Sequence, residues 1–217
     1  MAALPFDLPP PLAARLGAAL DVERKLPRAL EALGPLVNRR VVFVGMPHGP
    51  LVAGLRELGV RARRRTDKGP LRLKVPDGSI DAVVASWSAF RGVNQAELAE
   101  VDRALRPGGR LLVVHDYGRD DVKFLRPAGI PEYTSWSRRE GPFLRGGFKI
   151  RVIHCFWTFD SLDDARSFLA DAFGESGREL GEKLRRPRVA WNVAIYHRDR
   201  GAAAAESTAK RPARRGG

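Results

Sequence analysis

The sequence predicts an α/β fold, a doubly wound and mostly parallel sheet with helices on both faces, and three observations carry that expectation. Short apolar runs rich in β-branched residues recur along the chain: Val41–Val44, Ile80–Ser86 and Leu111–Val114. Such runs are the mark of strands buried on both faces. Helix signals fill the intervals between them, and alternation of this kind favours right-handed crossovers. The length, 217 residues, suits one domain of this type better than two.

The elements follow in order. The opening residues are proline-rich to Pro11. Residues 12–20 and 26–33 then space their apolar side chains every three to four positions, predicting two short helices; Pro27 suits a first turn and Gly34-Pro35 a stop. Residues 41–45 form the first strand, residues 46–50 a turn, and residues 51–58 a helix stopped by Gly59. Residues 60–65 form a second strand, residues 71–75 a third and residues 80–86 a fourth. Asn94 with Glu97 makes a capping pair for a helix to about Arg106. Pro107-Gly108-Gly109 ends it, and residues 110–115 form the next strand.

Beyond Asp116 the pattern loosens. Residues 121–125 suit a helical turn, and residues 131–147 a long loop carrying Tyr133, Trp136, Arg138, Arg139, Phe143 and Arg145. A strand over 149–159, a helix capped at Ser161 and running through Phe173, and a last strand over 188–197 complete the domain. The expected sheet has seven strands, the last of them antiparallel. The expected organisation is a helical segment over 1–38 packed on the domain, the domain over 39–198, and a basic tail over 199–217. From Gly201 onward that tail has almost nothing to bury and is expected to be disordered.

Composition bounds the function. Cys155 is the single cysteine, so an intrachain disulfide and a paired-thiol site are excluded, and a reducing cytoplasm is the expected location. Four histidines and one cysteine make no recognisable metal set, so no metal is expected. No apolar run approaches the roughly 20 residues that span a bilayer, and the N-terminus lacks the pattern of a secretory signal. Lysine and arginine outnumber aspartate and glutamate 38 to 25, a formal charge of +13. Either this is a solvated basic surface, or surface and tail meet an anionic partner such as nucleic acid.

Residues 75–86, followed by a helix and by Leu105-Arg106-Pro107-Gly108-Gly109-Arg110-Leu111-Leu112, closely resemble class I S-adenosylmethionine (SAM) dependent methyltransferases, which have a Rossmann-like fold. The closing order of strand, helix and strand over 149–197 is also similar to that family's sheet edge. The resemblance covers about residues 39–198. It implies SAM as cofactor and methyl transfer as activity, with the substrate unspecified.

The family's first strand normally ends in an acidic residue and three glycines, which let the backbone approach the ligand. Here Phe43 takes the acid's position, Gly45 and Gly49 match the outer glycines, and Pro47 replaces the middle one. Proline fixes φ and removes a donor, so the usual turn is altered. Where the family has a ribose-binding carboxylate after strand two, this chain has Arg63-Arg64-Arg65, with Asp67 just beyond. Hydrogen bonds to a charged group contribute roughly 1.5–3 kcal/mol each, so losing both would cost about 3–6 kcal/mol. An arginine there would also suit a 2′-phosphate, although Gly45 to Gly49 does not match a dinucleotide fingerprint.

The resemblance thus implies a cofactor site at Gly45, Met46, His48, Gly49, Asp67, Ser86 and Trp87. His115 and Asp116 end a strand at the same sheet edge and are the candidates for taking a proton from substrate; capping and packing are the competing roles. The loop over 131–147 is either a substrate cover whose aromatics and arginines suit stacking on a base, or a hydrophobic plug. Two functions stand: a methyltransferase with an altered cofactor site, or a catalytically lapsed one that serves as a nucleic-acid or protein interaction module.

Overall fold

The computed structural model describes residues 6–45, 49–65, 70–87, 90–126 and 132–201. Helices α1 (Pro10–Ala19) and α2 (Lys25–Leu33) come first. Asp21 joins them, with its carboxylate accepting from the backbone N–H groups of Lys25 at 2.9 Å and Leu26 at 2.8 Å. Those two donors belong to the first turn of α2, where no intrahelical acceptor exists, so Asp21 starts that helix.

Strand β1 (Val41–Val44), helix α3 (Pro50–Glu57), strand β2 (Ala62–Arg65) and strand β3 (Ile80–Ser86) follow. Helix α4 (Gln95–Ala104) is capped as expected, the Asn94 side chain accepting from Ala96 and Glu97. It leads into β4 (Leu105–Asp116), whose register with β3 jumps from Ile80↔Leu105 to Ala82↔Arg110. The Arg106–Gly109 turn is accommodated in that jump. After a short 3₁₀ turn (Asp121–Leu125) come α5 (Glu132–Trp136), α6 (Pro142–Arg145), β5 (Lys149–Thr158), α7 (Leu162–Lys183) and β6 (Arg188–Asp199).

The sheet order is β2-β1-β3-β4-β6-β5. The first four strands run parallel, and β6 pairs antiparallel with both β4 and β5. This is the expected architecture with one correction: six strands, not seven. Residues 71–75 join no ladder, because neighbouring side chains take their backbone groups. Leu73 N–H donates to Glu100 Oε1 at 2.7 Å, and Val75 C=O accepts from Arg103 at 2.9 Å. A left-handed Lys74 (φ 44°) also breaks the run. β2 is left as an edge strand.

Two further corrections concern helices. Helix α7 continues beyond Phe173 to Lys183, broken by Gly174 at φ 59°, ψ −129°. Only glycine takes this conformation readily, so the sequence signal for a stop was real but marked a kink. Residues 132–145 are not a loop throughout: α5 and α6 form there because Tyr133, Trp136 and Phe143 have a core to enter.

The sheet separates two apolar clusters. Val41 and Phe43 face one, with α1, α2, α3 and α7; Val42, Val44 and Val83 face the other, with α4, α5 and α6. Leu20 bridges to Trp157 of β5, so the N-terminal helices pack directly on the sheet's far edge. No described helix is long and apolar enough to cross a membrane.

Candidate functional site

In an open α/β sheet, ligands bind outside the carboxyl ends of the strands, where the strand order reverses. Here the order turns between β1 and β3. Six of the sequence candidates reach that edge within the described residues; Met46, His48 and Asp67, with Pro47, lie outside them.

Gly45 follows β1 at φ 75°, and Gly49 precedes α3 at φ 119°, ψ 173°. Both angles are unfavourable for a side chain, so each position favours glycine. Pro50 starts α3, where a missing N–H costs no hydrogen bond. Phe43 is buried within β1 in the first apolar cluster and offers the turn no carboxylate. On the other side of the switch point, the buried Ser86 ends β3 opposite Val114.

Trp87 comes next, with φ 37° and its backbone N–H donating to Val114 at 3.1 Å. Its ring stacks on Trp191 of β6, with centroids 6.1 Å apart and planes inclined by 18°. Leu20, Pro27, Pro50 and Leu51 close over this indole pair, leaving a cavity of about 10 Å³. That is room for a single water at most.

His115 and Asp116 end β4 at the same edge, and both are buried. His115 Nε2 lies 2.9 Å from the Phe90 carbonyl oxygen. A carbonyl only accepts, so the contact selects the tautomer protonated at Nε2. Its ring packs against Trp136, Tyr133 and Phe143, with centroids 4.7, 6.1 and 6.2 Å away. Asp116 Oδ1 accepts from Trp191 Nε1 at 2.7 Å and, more weakly, from Trp87 Nε1 at 3.5 Å; Oδ2 pairs with Arg126. Burial pushes the Asp116 carboxyl upward, while Arg126 and the two indole N–H groups pull the other way.

A proton acceptor must reach its substrate. Asp116 has both oxygens engaged and is 1% exposed; His115 is 0% exposed. In this arrangement the two side chains tie β4 to β3, β6 and the aromatic layer.

The aromatics of the 131–147 segment form that layer. Phe143 stacks on Tyr196 at 4.1 Å, and Tyr133, Trp136 and Phe143 are all buried. Arg138, Arg139 and Arg145 remain exposed. The aromatic half of the segment plugs the second apolar cluster, while its arginines, with Glu140 and Pro142, face solvent.

Sequence reasoning missed Arg126, Trp191 and Asp120. Asp120 caps the 3₁₀ turn, accepting from Lys123 N–H at 3.2 Å, and also accepts from Asn192 N–H at 2.6 Å. The available signal was Trp191 itself, because a buried tryptophan needs an acceptor for its N–H and Asp116 closes the neighbouring strand. Among the described residues no cluster of His, Cys, Asp or Glu could hold a metal ion.

At the end of β2, Arg65 stands beside Val44 in register, in the place where a ribose-binding carboxylate would be needed. Gly45 and Gly49 thus hold backbone conformations that favour glycine at this edge, and among the described residues the end of β2 offers no carboxylate.

No protein-family model matches the chain, and no curated protein matches it. Solved structures do. A putative type II methyltransferase from Anaeromyxobacter dehalogenans is 18% identical, with TM-score 0.51, over 81% of this chain and 95% of that one. A putative methyltransferase from Bacillus halodurans is 14% identical, with TM-score 0.46, over 80% and 98%. A geranyl diphosphate C-methyltransferase from Streptomyces coelicolor, in complex with Mg²⁺, geranyl diphosphate and S-adenosyl-L-homocysteine, is 14% identical, with TM-score 0.42, over 80% and 77%. The fold is that of the class I methyltransferases.

Proposed function

We propose that the chain is a SAM-dependent methyltransferase with an altered cofactor site, acting on a substrate whose identity the site does not reveal. The observation that carries this reading is the switch point between β1 and β3, flanked by Gly45 and Gly49 at positive φ on one side and by Ser86 and Trp87 on the other. Backbone freed of Cβ atoms at this one edge suits a bound ligand, and the family resemblance names SAM as that ligand. Arg65 replaces the expected ribose contact, so binding relies on the glycine turn and on residues beyond β2, with Asp67 the first carboxylate available. Because among the described residues the end of β2 offers the ribose no carboxylate, no transfer step is derived. Fold does not imply function, and the test is direct: titration calorimetry of the full chain against SAM and S-adenosylhomocysteine. Heat from either ligand that disappears in Gly49→Val supports the reading. Its absence at millimolar ligand removes it.

A second reading, the lapsed module, is favoured by one observation. In the Trp87–Trp191–Asp116–Arg126 cluster the two indole N–H groups and Arg126 take both Asp116 oxygens, leaving neither for a substrate. The same titration separates the two, since a lapsed site gives no heat. We assign the protein to the cytoplasm on its single cysteine, and treat residues 1–38 as part of the same folding unit as residues 39–198.

A further inference from the structure

The opposite end of the sheet carries a feature that neither reading uses. Because the crossover over 70–79 supplies no helix and β2 is an edge strand, the sheet face beside β2 is open at its amino end. A hollow of about 490 Å³ lies there, floored by Val42, Val75 and Ile80 and walled by Arg39, Arg40, Arg61 and Arg63. The Val41↔Ala62 pairing brings Arg40 and Arg61 side by side where the two strands begin. A second hollow of about 180 Å³ shares Arg39 and adds Arg106 and Arg110. The two lie on opposite faces of the sheet and share only Arg39 at its amino edge, so the arginines around the first hollow make up a track of their own.

The charge of this track is poorly balanced. Arg40 and Arg106 share Asp81, at 3.5 and 2.5 Å, and Arg110 pairs with Asp199 at 2.8 Å. Among the described residues no carboxylate pairs with Arg39, Arg61 or Arg63, and all three are exposed. Three guanidinium groups without a carboxylate exceed the charge of one phosphate group, and a nucleic-acid strand, with one negative charge per nucleotide, matches them with a short run of phosphates. Among the described residues no aromatic ring lines either hollow, so none of them stacks on bases there. Guanidinium groups pair with phosphate oxygens bidentately, and contacts of that kind position a strand without reading it.

We propose that this arginine track binds the phosphodiester backbone of a nucleic-acid strand, irrespective of sequence. The site is independent of whatever the carboxyl edge binds, and its test contains no SAM, so the two proposals fail separately. The probe is a labelled single-stranded oligonucleotide of mixed sequence and about 20 nucleotides, titrated by fluorescence polarisation against the full chain from about 50 to 200 mM salt. Changing Arg39, Arg61 and Arg63 together to glutamine is expected to weaken binding at least about ten-fold at low salt and to flatten the log–log salt slope by about 2. Arg63→Gln alone should flatten it by about 0.7, which keeps the test intact if the triple variant fails to fold. The matching lysine triple should restore the slope, since a point charge suffices for phosphate. Replacing Lys210, Arg211, Arg214 and Arg215 by glutamine should leave the effect of the track substitutions in place. The proposal is overturned if the glutamine variants bind like wild type, if the lysine triple does not rescue, or if the tail substitutions abolish binding by themselves. It is also overturned if the glutamine triple self-associates in sedimentation with binding unchanged, because the arginines would then only guard the edge of β2.

Discussion

The indole N–H of Trp191 donates to Asp116 across 2.7 Å, joining the fourth strand to the last one at the edge where ligands of this fold bind. On its other oxygen the same carboxylate holds Arg126, which is buried as well. Removing one partner of such a pair strands the other, at about 3–5 kcal/mol. Asp116→Asn should therefore lower the melting temperature by about 6–20 °C, at roughly 2–4 °C per kcal/mol for a domain of this size. Trp191→Phe, which keeps the ring and removes the donor, should cost about 1.5–3 kcal/mol. Thermal melts followed by circular dichroism check both. An Asp116→Asn protein that melts with the wild type would mean the carboxylate is held by nothing.

The cofactor reading gives a graded expectation. A ligand at about one hundred times its dissociation constant stabilises the native state by about 2.7 kcal/mol. An unaltered SAM site would then raise the melting temperature by about 5–11 °C. With Phe43, Pro47 and Arg65 in place of three contacts, the expected shift at millimolar SAM is well below that range. Arg65→Asp, which puts a carboxylate beside Val44, should enlarge it. Differential scanning fluorimetry decides, and a full shift in the wild type would make Asp67 the first residue to substitute.

Glu100 anchors the segment that fails to become a strand. The paired Arg103 guanidinium, helped by Leu73 N–H, holds its carboxyl down at about 2. A depressed carboxyl adds stability above its unfolded value, 4.5, that is lost as pH falls toward 2. At neutral pH that amounts to about 3 kcal/mol. Glu100→Gln should lower the melting temperature by about 6–12 °C at pH 7 and much less near pH 3. An equal loss at both values would assign the effect to packing instead of charge.

Asp120 should behave in the opposite sense. Burial raises its carboxyl to about 6 from an ordinary 3.8, despite the N–H groups of Asn192 and Lys123 that it accepts from. A raised carboxyl contributes stability that is complete below pH 3.8 and is lost as pH climbs through 6. Asp120→Asn keeps an acceptor and removes the charge, so it should stabilise the protein at pH 8 by about 1–3 kcal/mol and leave it unchanged near pH 4. Urea unfolding at the two pH values measures this.

Local signals carried most of the fold. The β-branched runs, the Asn94 and Ser161 caps and the Arg106–Gly109 turn each act within a few residues, and each sits in the structure where its chemistry predicts. What stayed illegible depended on distant partners. Nothing near Leu73 announces that Glu100, a turn of helix away in space, will take its N–H and deny the sheet a seventh strand. Nothing near Tyr133 tells that a core will accept it. The carboxyl edge of the sheet was legible, through Gly45, Gly49 and the strand ends; what it holds was not. Asp116 reads the same in sequence whether it faces a substrate or is clasped between Trp191 and Arg126.

The placement of β6 bears on how the chain is made. Of the described strands it is the last to be synthesised, yet it lies between β4 and β5. Until residues 188–199 leave the ribosome, β4 lacks its outer neighbour and β5 has no strand beside it at all. Translation at about 5–20 residues per second leaves the Leu111–Val114 edge bare for roughly 4–17 s after it emerges. A naked apolar edge is a template for pairing with another chain. Closure of this sheet therefore waits for residues 188–199, and until they arrive the half-built sheet is open to pairing with another chain.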